Sequence, residues 1–422
     1  MSCDYRQILP AAVRAGCLDD QPGLAGFVDI NSLSSTIASL HKAFPAHFVH
    51  TFAAKANTMS SALAQVKAHG MGCEVASPGE LEQAIRAGFE PDSIVYDEPA
   101  KTQQSLERVL GLGISLNIDN FQEFERVRSL VQVKRGESRI GFRINPQVGA
   151  GKISAMSTAT ATSKFGFALE DEGQRRAIVD CYRDNGWLTS LHTHVGSQGC
   201  SLELLCDAAT RIQALKTEIE TETGRSVSIV DMGGGLPTAY VATDQPPTFE
   251  QYVQLLGQRA PELIQGQVRL MTEFGRAIQA GCGIAFSRVE YVREIDEHHC
   301  MAVIHLGADF LLRPVYRSED WQHEYLLFDA TGQLKTAAAT EVTIAGPLCF
   351  AGDILDRKLS MPRPEPGDWI AIRDVGGYTL GMWSRHCSRG MPAVVGYQAE
   401  GVRLLRPQET PGDIARFWSR QP

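Results

Sequence analysis

Short apolar runs alternate with amphipathic stretches from about residue 47 to about residue 280, and this alternation constrains the fold more than any other feature. The runs HFVHTFAA, GCEVAS, SIVYD, SLNI, IGFRIN, SLHTHVG, SIVDMG and VRLMTEFG have the length and composition of strands. Helical patterns such as PGELEQAIRAGF lie between most of them. Strands separated by helices pair in parallel, and about eight such units predict an α/β fold with a closed (β/α)8 TIM-like barrel.

The character of the sequence changes after about residue 281. Segments such as HCMAVIHLG, YLLFDA and DWIAIRDVGGYT are short and rich in β-branched and aromatic residues, and turn signals such as PRPEPGD separate some of them. This pattern predicts a C-terminal antiparallel β-barrel or sandwich domain. We therefore expect an N-terminal segment, 1–27, that joins the β domain, a barrel at 28–280 and a β domain at 281–422.

Charge and cysteine content exclude several classes of protein. The net charge is −9 and no long basic run offsets it, so we expect no nucleic-acid partner. The ten cysteines lack CxxC pairs, which argues against a metal site or a disulfide framework and favours the reduced thiols of a cytoplasmic protein. With no signal-peptide pattern and no uncharged apolar run of about 18 residues, we expect no membrane association.

A lysine and a histidine at strand ends are the first candidates for catalysis, because the active site of such a barrel lies at the C-terminal ends of its strands. Lys55 stands between small apolar residues directly after the first barrel strand. A partly desolvated amine is a good nucleophile for imine formation. His192 and His194 share one face of a later strand, since side chains alternate along a strand.

The last two barrel strands end in a glycine turn and in a pair of charged residues. Gly233, Gly234 and Gly235 follow one strand, where backbone N–H groups can approach a phosphate. Glu273 and Arg276 follow the next. A cofactor with an aldehyde, a phosphate and a ring nitrogen would use all of these groups together with the lysine. Pyridoxal 5′-phosphate is such a cofactor.

Motifs from about residue 48 to residue 380 resemble one enzyme family. FAAKAN, GCEVASPGELEQAIRAGF, FRINP, HTHVGSQ, VDMGGGLP, EFGR, LLRPVY, GPLCFAGDIL and DVGGYT occur in the order found in the fold type III, alanine racemase-like decarboxylases that depend on pyridoxal phosphate. This family includes the diaminopimelate and ornithine decarboxylases. The resemblance implies a carboxy-lyase that releases CO2 from the α-carboxylate of an amino acid.

The resemblance also implies a role for each matching residue. Lys55, Cys349 and His194 would act in catalysis, with Cys349 reaching the site from a partner subunit to protonate the α-carbon. The enzyme would then be a homodimer with shared active sites. The residues assigned to the cofactor are Lys55, His194, Ser197, Gly233, Gly234, Gly235, Glu273, Gly275, Arg276 and Tyr378, and those assigned to the substrate are Arg313, Tyr316, Phe350 and Asp353.

Phe350 departs from the family pattern in a way that bears on the substrate. Family members that act on diamino acids carry Asp or Glu at this position, where it meets the distal ammonium group, and a phenyl ring cannot replace that interaction. Arg313 and Tyr316 of LLRPVY, which would hold a distal carboxylate, are retained. The expected substrate therefore has an anionic or neutral distal end, such as a citryl-amide amino acid of a siderophore pathway.

The segment after GGYT is a second departure. It reads LGMWSRHCSRGMP instead of the family's serine-rich stretch, and it carries Arg385, His386 and Arg389. These residues would suit a substrate that bears a carboxylate, or they are solvated charges of a loop; the sequence leaves both interpretations open.

Three other functions remain open. The chain could be a plain diaminopimelate decarboxylase of lysine biosynthesis. It could be an amino-acid racemase, which would keep the carboxylate, although the cysteine of GPLC fits a decarboxylase better. It could also be a binding protein that has lost its cofactor, which the presence of Lys55, Glu273 and Cys349 opposes.

Overall fold

A computed structural model describes residues 5–15, 18, 23–133, 136–266, 268–398 and 401–419. The chain forms two compact units. The barrel unit contains Thr36–Thr238 and Gln245–Ile278, and the β-rich unit contains Met1–Ser35, Ala239–Asp244 and Gln279–Pro422. The sequence had not predicted that 239–244 would belong to the β-rich unit.

Strands and helices are numbered here in chain order. The strands are β1 Leu24–Asp29, β2 Phe48–Ala53, β3 Gly72–Val75, β4 Ile94–Tyr96, β5 Ser115–Ile118, β6 Ile140–Asn145, β7 Phe167–Ala168, β8 Leu188–Thr193, β9 Ile229–Asp231, β10 Arg269–Glu273, β11 Gly283–Glu294, β12 His299–Ile304, β13 Tyr325–Phe328, β14 Ala339–Ala345, β15 Ile354–Pro362, β16 Trp369–Arg373, β17 Ala393–Gln398 and β18 Gly401–Arg406. The helices are α1 Tyr5–Arg14, α2 Ile30–Ala43, α3 Ser60–Ala68, α4 Pro78–Arg86, α5 Gln103–Leu112, α6 Phe121–Val133, α7 Gln174–Asp184, α8 Leu202–Thr223, α9 Phe249–Arg259, α10 Pro261–Gln265, α11 Arg276–Gln279, α12 Leu312–Tyr316 and α13 Pro411–Trp418.

The barrel unit contains a closed parallel barrel. Its eight strands follow the order β2, β3, β4, β5, β6, β8, β9 and β10, and β10 pairs with β2 to complete the circle. The two-residue strand β7 adds to β6 outside this circle. The predicted (β/α)8 barrel is confirmed. In such a barrel the active site lies at the C-terminal ends of the strands.

Two layers of side chains are repeated along the barrel strands. Val95 and Asp97 are two residues apart at the end of β4, and the same spacing joins Ile229 to Asp231 on β9. Met271 and Glu273 repeat it on β10. Side chains two residues apart point to the same side of a strand. Since Val95, Ile229 and Met271 pack into one buried cluster, the three carboxylates form the next layer, nearer the C-terminal ends.

Side-chain caps fix where several barrel helices begin. The Ser77 hydroxyl accepts a hydrogen bond from the Glu80 backbone N–H at the start of α4, at 3.1 Å. Thr248 and Gln251 form a reciprocal capping box at the start of α9. Such caps satisfy N–H groups that have no partner within the helix, so they define the length of the loops between strands and helices.

The β-rich unit is built on a mixed sheet of nine strands. The order is β15, β14, β12, β11, β1, β17 and β18, while β16 pairs with β11 and β13. Most pairs are antiparallel, as expected, but β1 pairs in parallel with β17 and β12 with β14. Apolar clusters cover the sheet, one containing Val289 and Ile344 and the other Phe27 and Phe286.

Two further features concern the whole described chain. No described helix combines the length and the apolar character needed to span a bilayer. The eight cysteines within the described ranges are all free.

Candidate active site

Lys55 lies in a 3-10 turn, Ala54–Ala56, that follows β2 directly. The small side chains of Ala54 and Ala56 are buried, while the Lys55 side chain keeps 38% of its surface exposed. Its ammonium group contacts the carboxylate of Glu74, which lies on the neighbouring strand β3 and is fully buried. Burial raises the pKa of Glu74 to about 8, against the opposing effect of Lys55. The lysine therefore has beside it a carboxyl group that ionises near neutral pH, and part of its own side chain stays exposed.

Glu273 is the last residue of β10. β10 pairs with β2, on the side of β2 opposite to β3. Its Oε2 lies 3.4 Å from Nε2 of His192. Burial opposes ionisation of Glu273, but the neighbouring His192 and Lys55 outweigh it and hold the pKa of Glu273 below its usual value. Its Oε1 is buried and has no hydrogen-bond partner among the described residues. An ionised oxygen of this kind suits a protonated ring nitrogen.

His194 and the glycine turn are held together by a backbone hydrogen bond. The Gly234 N–H donates to Nδ1 of His194 at 3.1 Å. Burial lowers the pKa of His194 to about 3, and the positive charges of Arg143 and Lys55 act in the same direction. The ring is therefore neutral, with Nδ1 as an acceptor. A flat, uncharged ring in this position can stack on a heteroaromatic cofactor.

The glycine turn approaches the backbone too closely to allow a side chain. A Cβ at Gly234 would lie 2.4 Å from the carbonyl oxygen of Glu273, and a Cβ at Gly233 would lie 2.6 Å from that of Thr193. Gly233 also adopts a φ of +64°, in the left-handed region that favours glycine. The turn thus leaves a cradle of backbone next to the predicted position of a phosphate.

Arg276 and Ser197 form the remaining polar part of this site. The Arg276 Nε–H donates to the Ser197 hydroxyl at 3.0 Å, and Arg276 is almost entirely buried. Gly275 allows this turn to pack closely, because a Cβ there would lie 3.0 Å from the Ala56 Cβ next to the lysine. A buried guanidinium beside a hydroxyl is a suitable donor pair for a phosphate.

The barrel unit therefore brings together nine of the residues predicted to bind the cofactor. They offer an amine for an aldehyde, an unpaired carboxylate oxygen for a ring nitrogen, a neutral ring for stacking and donors for a phosphate. These groups fit pyridoxal 5′-phosphate. The nine are Lys55, His194, Ser197, Gly233, Gly234, Gly235, Glu273, Gly275 and Arg276.

The β-rich unit contains the tenth, Tyr378, in contact with Arg313. The Arg313 guanidinium carbon lies 4.9 Å from the centre of the Tyr378 ring and 4.7 Å from that of Trp321. Tyr240 packs edge-on against Trp321, with ring centres 5.7 Å apart. Tyr378 has a φ of +59°, which a bulky residue adopts rarely, so its position is held by its surroundings. These four side chains line one pocket.

Tyr316 and Phe350 form a second aromatic group in the β-rich unit. Their rings are stacked, with centres 6.3 Å apart and planes inclined by 16°. His386 lies edge-on to Phe350 at 5.9 Å. Tyr316 is 63% exposed, so this group offers a flat, uncharged surface. Its character agrees with the loss of the carboxylate that the family pattern has at position 350.

Cys349 and Asp353 lie in one loop but differ in their surroundings. Cys349 is exposed. Asp353 is buried, and its two oxygens accept hydrogen bonds from the N–H groups of Ala308 and Leu348, both at 2.7 Å. These contacts indicate that Asp353 holds the loop that carries Cys349. They give no support to the prediction that Asp353 binds substrate.

Arg385 and Arg389 each have a partner within the β-rich unit. Arg385 donates to both carboxylate oxygens of Glu409, at 2.9 and 3.0 Å. Arg389 donates to Asp309 at 2.7 Å and to the backbone carbonyl oxygen of His305 at 2.6 Å. Of the two interpretations left open by the sequence, these ion pairs favour the structural one.

Sequence reasoning missed several charged residues inside the barrel. Glu74 and Asp97 were not among the candidates, and neither were Arg143 and Asp231. Each stands at or near the end of a predicted strand, within GCEVAS, SIVYD, FRIN or SIVDMG. For Asp97 and Asp231 the signal was a charge two positions after an apolar strand residue, Val95 and Ile229.

Comparison with known proteins identifies the family. The sequence profile described as "Pyridoxal-dependent decarboxylase, pyridoxal binding domain" matches residues 30–280, which is more than half of the chain. The chain belongs to the pyridoxal-dependent decarboxylase family. This decarboxylase is a fold type III carboxy-lyase that depends on pyridoxal phosphate, as the resemblance implied.

Two curated relatives span most of the decarboxylase. It is 30% identical to the diaminopimelate decarboxylase of Pseudomonas aeruginosa over 365 residues, covering 85% of this chain and 83% of that one. It is 31% identical to the diaminopimelate decarboxylase of Pseudomonas fluorescens over 374 residues, covering 86% and 84%.

Solved structures share the same fold. The Helicobacter pylori diaminopimelate decarboxylase complexed with L-lysine superposes with a TM-score of 0.84 at 23% identity, covering 96% of this chain and 99% of that one. The diaminopimelate decarboxylase from M. jannaschii in co-complex with L-lysine gives a TM-score of 0.85 at 23% identity, covering 97% of this chain and 94% of that one.

Proposed function

We propose that this decarboxylase removes the α-carboxylate of an amino acid that carries a second carboxylate at its distal end, with meso-diaminopimelate as the first candidate. The observation that carries the proposal is the pairing of β10 with β2, which places Glu273 and Lys55 at neighbouring strand ends. The relatives named above supply the choice of diaminopimelate. Lysine biosynthesis would be the pathway.

The barrel residues have separate tasks in this proposal. Lys55 would hold the cofactor through its ε-amine, the group that can meet an aldehyde. When bound, pyridoxal phosphate supplies the electron sink that makes loss of CO2 possible. Glu273 holds a proton on the ring nitrogen, and the neutral His194 ring packs on the face of the cofactor. Arg276 with Ser197 holds its phosphate.

The choice of an anionic substrate rests on Arg313. Its guanidinium lies against two aromatic faces, so it is fixed in place and its donors point in set directions. A guanidinium held in this way can bind a carboxylate in bidentate geometry. Tyr378 would then both hold Arg313 in place and contact the cofactor, as predicted.

Phe350 favours a second candidate substrate within the same reaction. The aromatic pair of Phe350 and Tyr316 offers no acceptor for a distal ammonium group, and a buried ammonium without a partner costs on the order of several kcal/mol. An amino acid with a neutral or acylated distal end would avoid this cost. The comparisons give no support to a siderophore-pathway substrate in particular.

Assembly follows from the proposed role of Cys349. We infer a homodimer in which the exposed Cys349 of one copy serves as the acid in the active site of the other. A dimer with shared sites predicts that two inactive variants, Lys55→Ala and Cys349→Ala, regain part of the activity when mixed, because some mixed dimers carry one intact site.

The test of the substrate is a CO2-release assay on the purified enzyme with added pyridoxal phosphate. We expect release from meso-diaminopimelate, none from ornithine, and none from the Lys55→Ala variant. Release only from diamino acids with an acylated or neutral distal end would favour the second candidate, and Phe350→Glu should then shift the preference towards meso-diaminopimelate. Change in substrate chirality without CO2 release would indicate a racemase and would contradict both.

A further inference from the structure

A chain of buried polar groups crosses the barrel interior behind Glu273. Oε2 of Glu273 lies 3.4 Å from Nε2 of His192, and Nδ1 of the same ring lies 3.9 Å from Oδ1 of Asp97. The other oxygen of Asp97 accepts a hydrogen bond from Arg143 at 2.5 Å. Each of the four side chains is at least nine-tenths buried. Glu273, His192 and Arg143 lie on β10, β8 and β6, of which β6 and β8 are neighbours, and Asp97 directly follows β4.

Each ring nitrogen of His192 faces a carboxylate, Nε2 that of Glu273 and Nδ1 that of Asp97. Among the described residues, neither nitrogen forms a hydrogen bond, and the ring is fully buried. A buried ring nitrogen without a partner is costly, so a small rotation that completes the contact with Glu273 would be favourable. The sequence analysis assigned a role to His194 of the HTH motif and none to His192.

We propose that His192 is a positioning residue that keeps Glu273 ionised and aimed at the ring nitrogen of the cofactor, and that Asp97 and Arg143 hold His192 in that orientation. The inference deepens the proposed function, because it rests on the contact assigned to Glu273. It gives the first histidine of HTHVGSQ a task that differs from the stacking role of His194.

The clustering of carboxylates explains why such a residue is needed. Asp231 ends β9, and its carboxylate, that of Glu273 and the His192 ring have ligand atoms within 4.8 Å of one another. Burial and the charge of Glu273 raise the pKa of Asp231 well above its usual value. Like charges at this distance cannot both ionise cheaply in a buried site. A donor that contacts Glu273 and not Asp231 decides which of the two carries the charge.

Arg143 is itself fixed from two sides. Its guanidinium carbon lies 4.3 Å from the centre of the Phe165 ring, and its Nε lies 3.9 Å from Asp119. Asp119 in turn accepts a hydrogen bond from the Gly166 N–H at 3.0 Å. Asp97 thus faces a guanidinium that has little freedom to move, and this rigidity extends through His192 to Glu273.

The test uses two substitutions that each keep one end of the histidine. His192→Gln can place an amide nitrogen near the position of Nε2 and keep the donor to Glu273. His192→Asn can reach only the position of Nδ1 and loses it. His50→Gln is the control, since His50 is a buried histidine of β2, the strand paired with β10, and its Nδ1 contacts the Thr272 hydroxyl at 2.7 Å.

The first readouts do not depend on turnover. They are the dissociation constant of pyridoxal phosphate from the apoenzyme and the pH titration of the visible absorbance of the bound cofactor without substrate. We expect His192→Asn to weaken cofactor binding on the order of tenfold, as loss of a hydrogen bond to a charged group does, and to shift the titration. His192→Gln should stay within about threefold of the wild type, and His50→Gln should match it.

A double-mutant cycle separates positioning from packing. If His192 acts through Glu273, His192→Asn should have little further effect on cofactor affinity in a Glu273→Gln background. Equal effects in both backgrounds would overturn the proposal, and so would a His192→Asn enzyme with wild-type affinity and titration. Should His192→Asn not fold, loss of the cofactor by His192→Gln to the same degree as by Glu273→Gln would also contradict it. Wild-type protein that binds no pyridoxal phosphate would instead refute the proposed function.

Other charged and titratable groups surround His192 and Glu273 and contribute to the pH titration. They lie on barrel strands or directly after them, and neither substitution changes them. These groups are Lys55, Glu74, Asp97, Arg143, His194 and Asp231.

Discussion

The ammonium group of Lys55 contacts the carboxylate of Glu74, and the two groups differ sharply in exposure. The lysine side chain keeps 38% of its surface exposed, whereas Glu74 is completely buried on the next strand. The amine can therefore meet an incoming aldehyde while the carboxyl group beside it stays out of water. Because of this burial, the ionisation of Glu74 is sensitive to the folded state.

Glu74→Gln should reduce the pH dependence of stability. Burial raises the pKa of Glu74 to about 8 in the folded chain, from an ordinary 4.5. Between these values the folded chain binds the extra proton, so its free energy of unfolding falls as the pH rises through this window. The variant cannot ionise at this position, and the fall in Tm of its apoenzyme between about pH 5 and about pH 8 should be smaller by a few degrees. Glu90→Gln, at an exposed position, is the control, and an equal fall in both variants would contradict the prediction.

Two alanine substitutions at glycines should act in opposite directions. Gly234→Ala places a Cβ 2.4 Å from the Glu273 carbonyl oxygen, so the glycine turn must shift. We expect cofactor affinity to fall by about tenfold or more and stability to fall as well. Gly111→Ala lies in helix α5 with no atom within 4 Å, and it should gain roughly 0.5 to 1 kcal/mol of stability. Thermal unfolding and cofactor titration measure both effects. Unchanged cofactor affinity in Gly234→Ala would contradict the prediction that the glycine turn binds the phosphate of the cofactor.

Arg313→Lys should raise the KM for a dicarboxylic amino acid. A lysine keeps the positive charge but loses the planar guanidinium that lies against Trp321 and Tyr378, and it cannot bind a carboxylate in bidentate geometry. We expect KM to rise by about tenfold with a smaller change in kcat. Steady-state CO2 release measures both constants. Arg317→Lys is the matched control, because Arg317 lies in the same segment and forms ion pairs with the exposed Glu319 and the nearby Asp320. A kcat effect larger than the KM effect would assign Arg313 to the chemical step instead.

Arg389→Ala should destabilise the protein without changing substrate affinity. Asp309, its partner, is fully buried, and removing the guanidinium leaves that carboxylate without its ion pair. The expected loss is about 2 kcal/mol in the free energy of unfolding. Denaturant unfolding and KM measurements should be made on the same preparation. A tenfold rise in KM with unchanged stability would restore the idea that the basic loop meets the substrate.

The parts that the sequence predicted well are those that local pattern controls. The alternation of strands and helices predicted the barrel, and strand ends predicted Lys55 and Glu273, because the position of a residue in a barrel follows from its position on its strand. Family motifs predicted Arg313 and Tyr378 as site residues. No feature of the sequence indicated that Trp321 would lie against the arginine. That contact depends on how a loop packs and not on spacing.

Other features could not be predicted because they depend on partners distant in sequence. Arg385 pairs with Glu409, 24 residues later, so its charge alone did not reveal whether it would meet a substrate or a side chain. Asp353 meets the Ala308 N–H across 45 residues. The parallel pairing of β1 with β17 links residues more than 360 positions apart in the chain.

The central place of β1 has a consequence for synthesis of the protein. Leu24–Asp29 is synthesised before both strands that flank it, because β11 and β17 lie far downstream in the chain. The nascent chain must therefore keep an apolar segment unpaired while the intervening residues are translated, and such a segment can associate wrongly with other chains. Chaperone demand should be greatest late in translation, and a variant that lacks β1 should form inclusion bodies rather than an isolated working barrel.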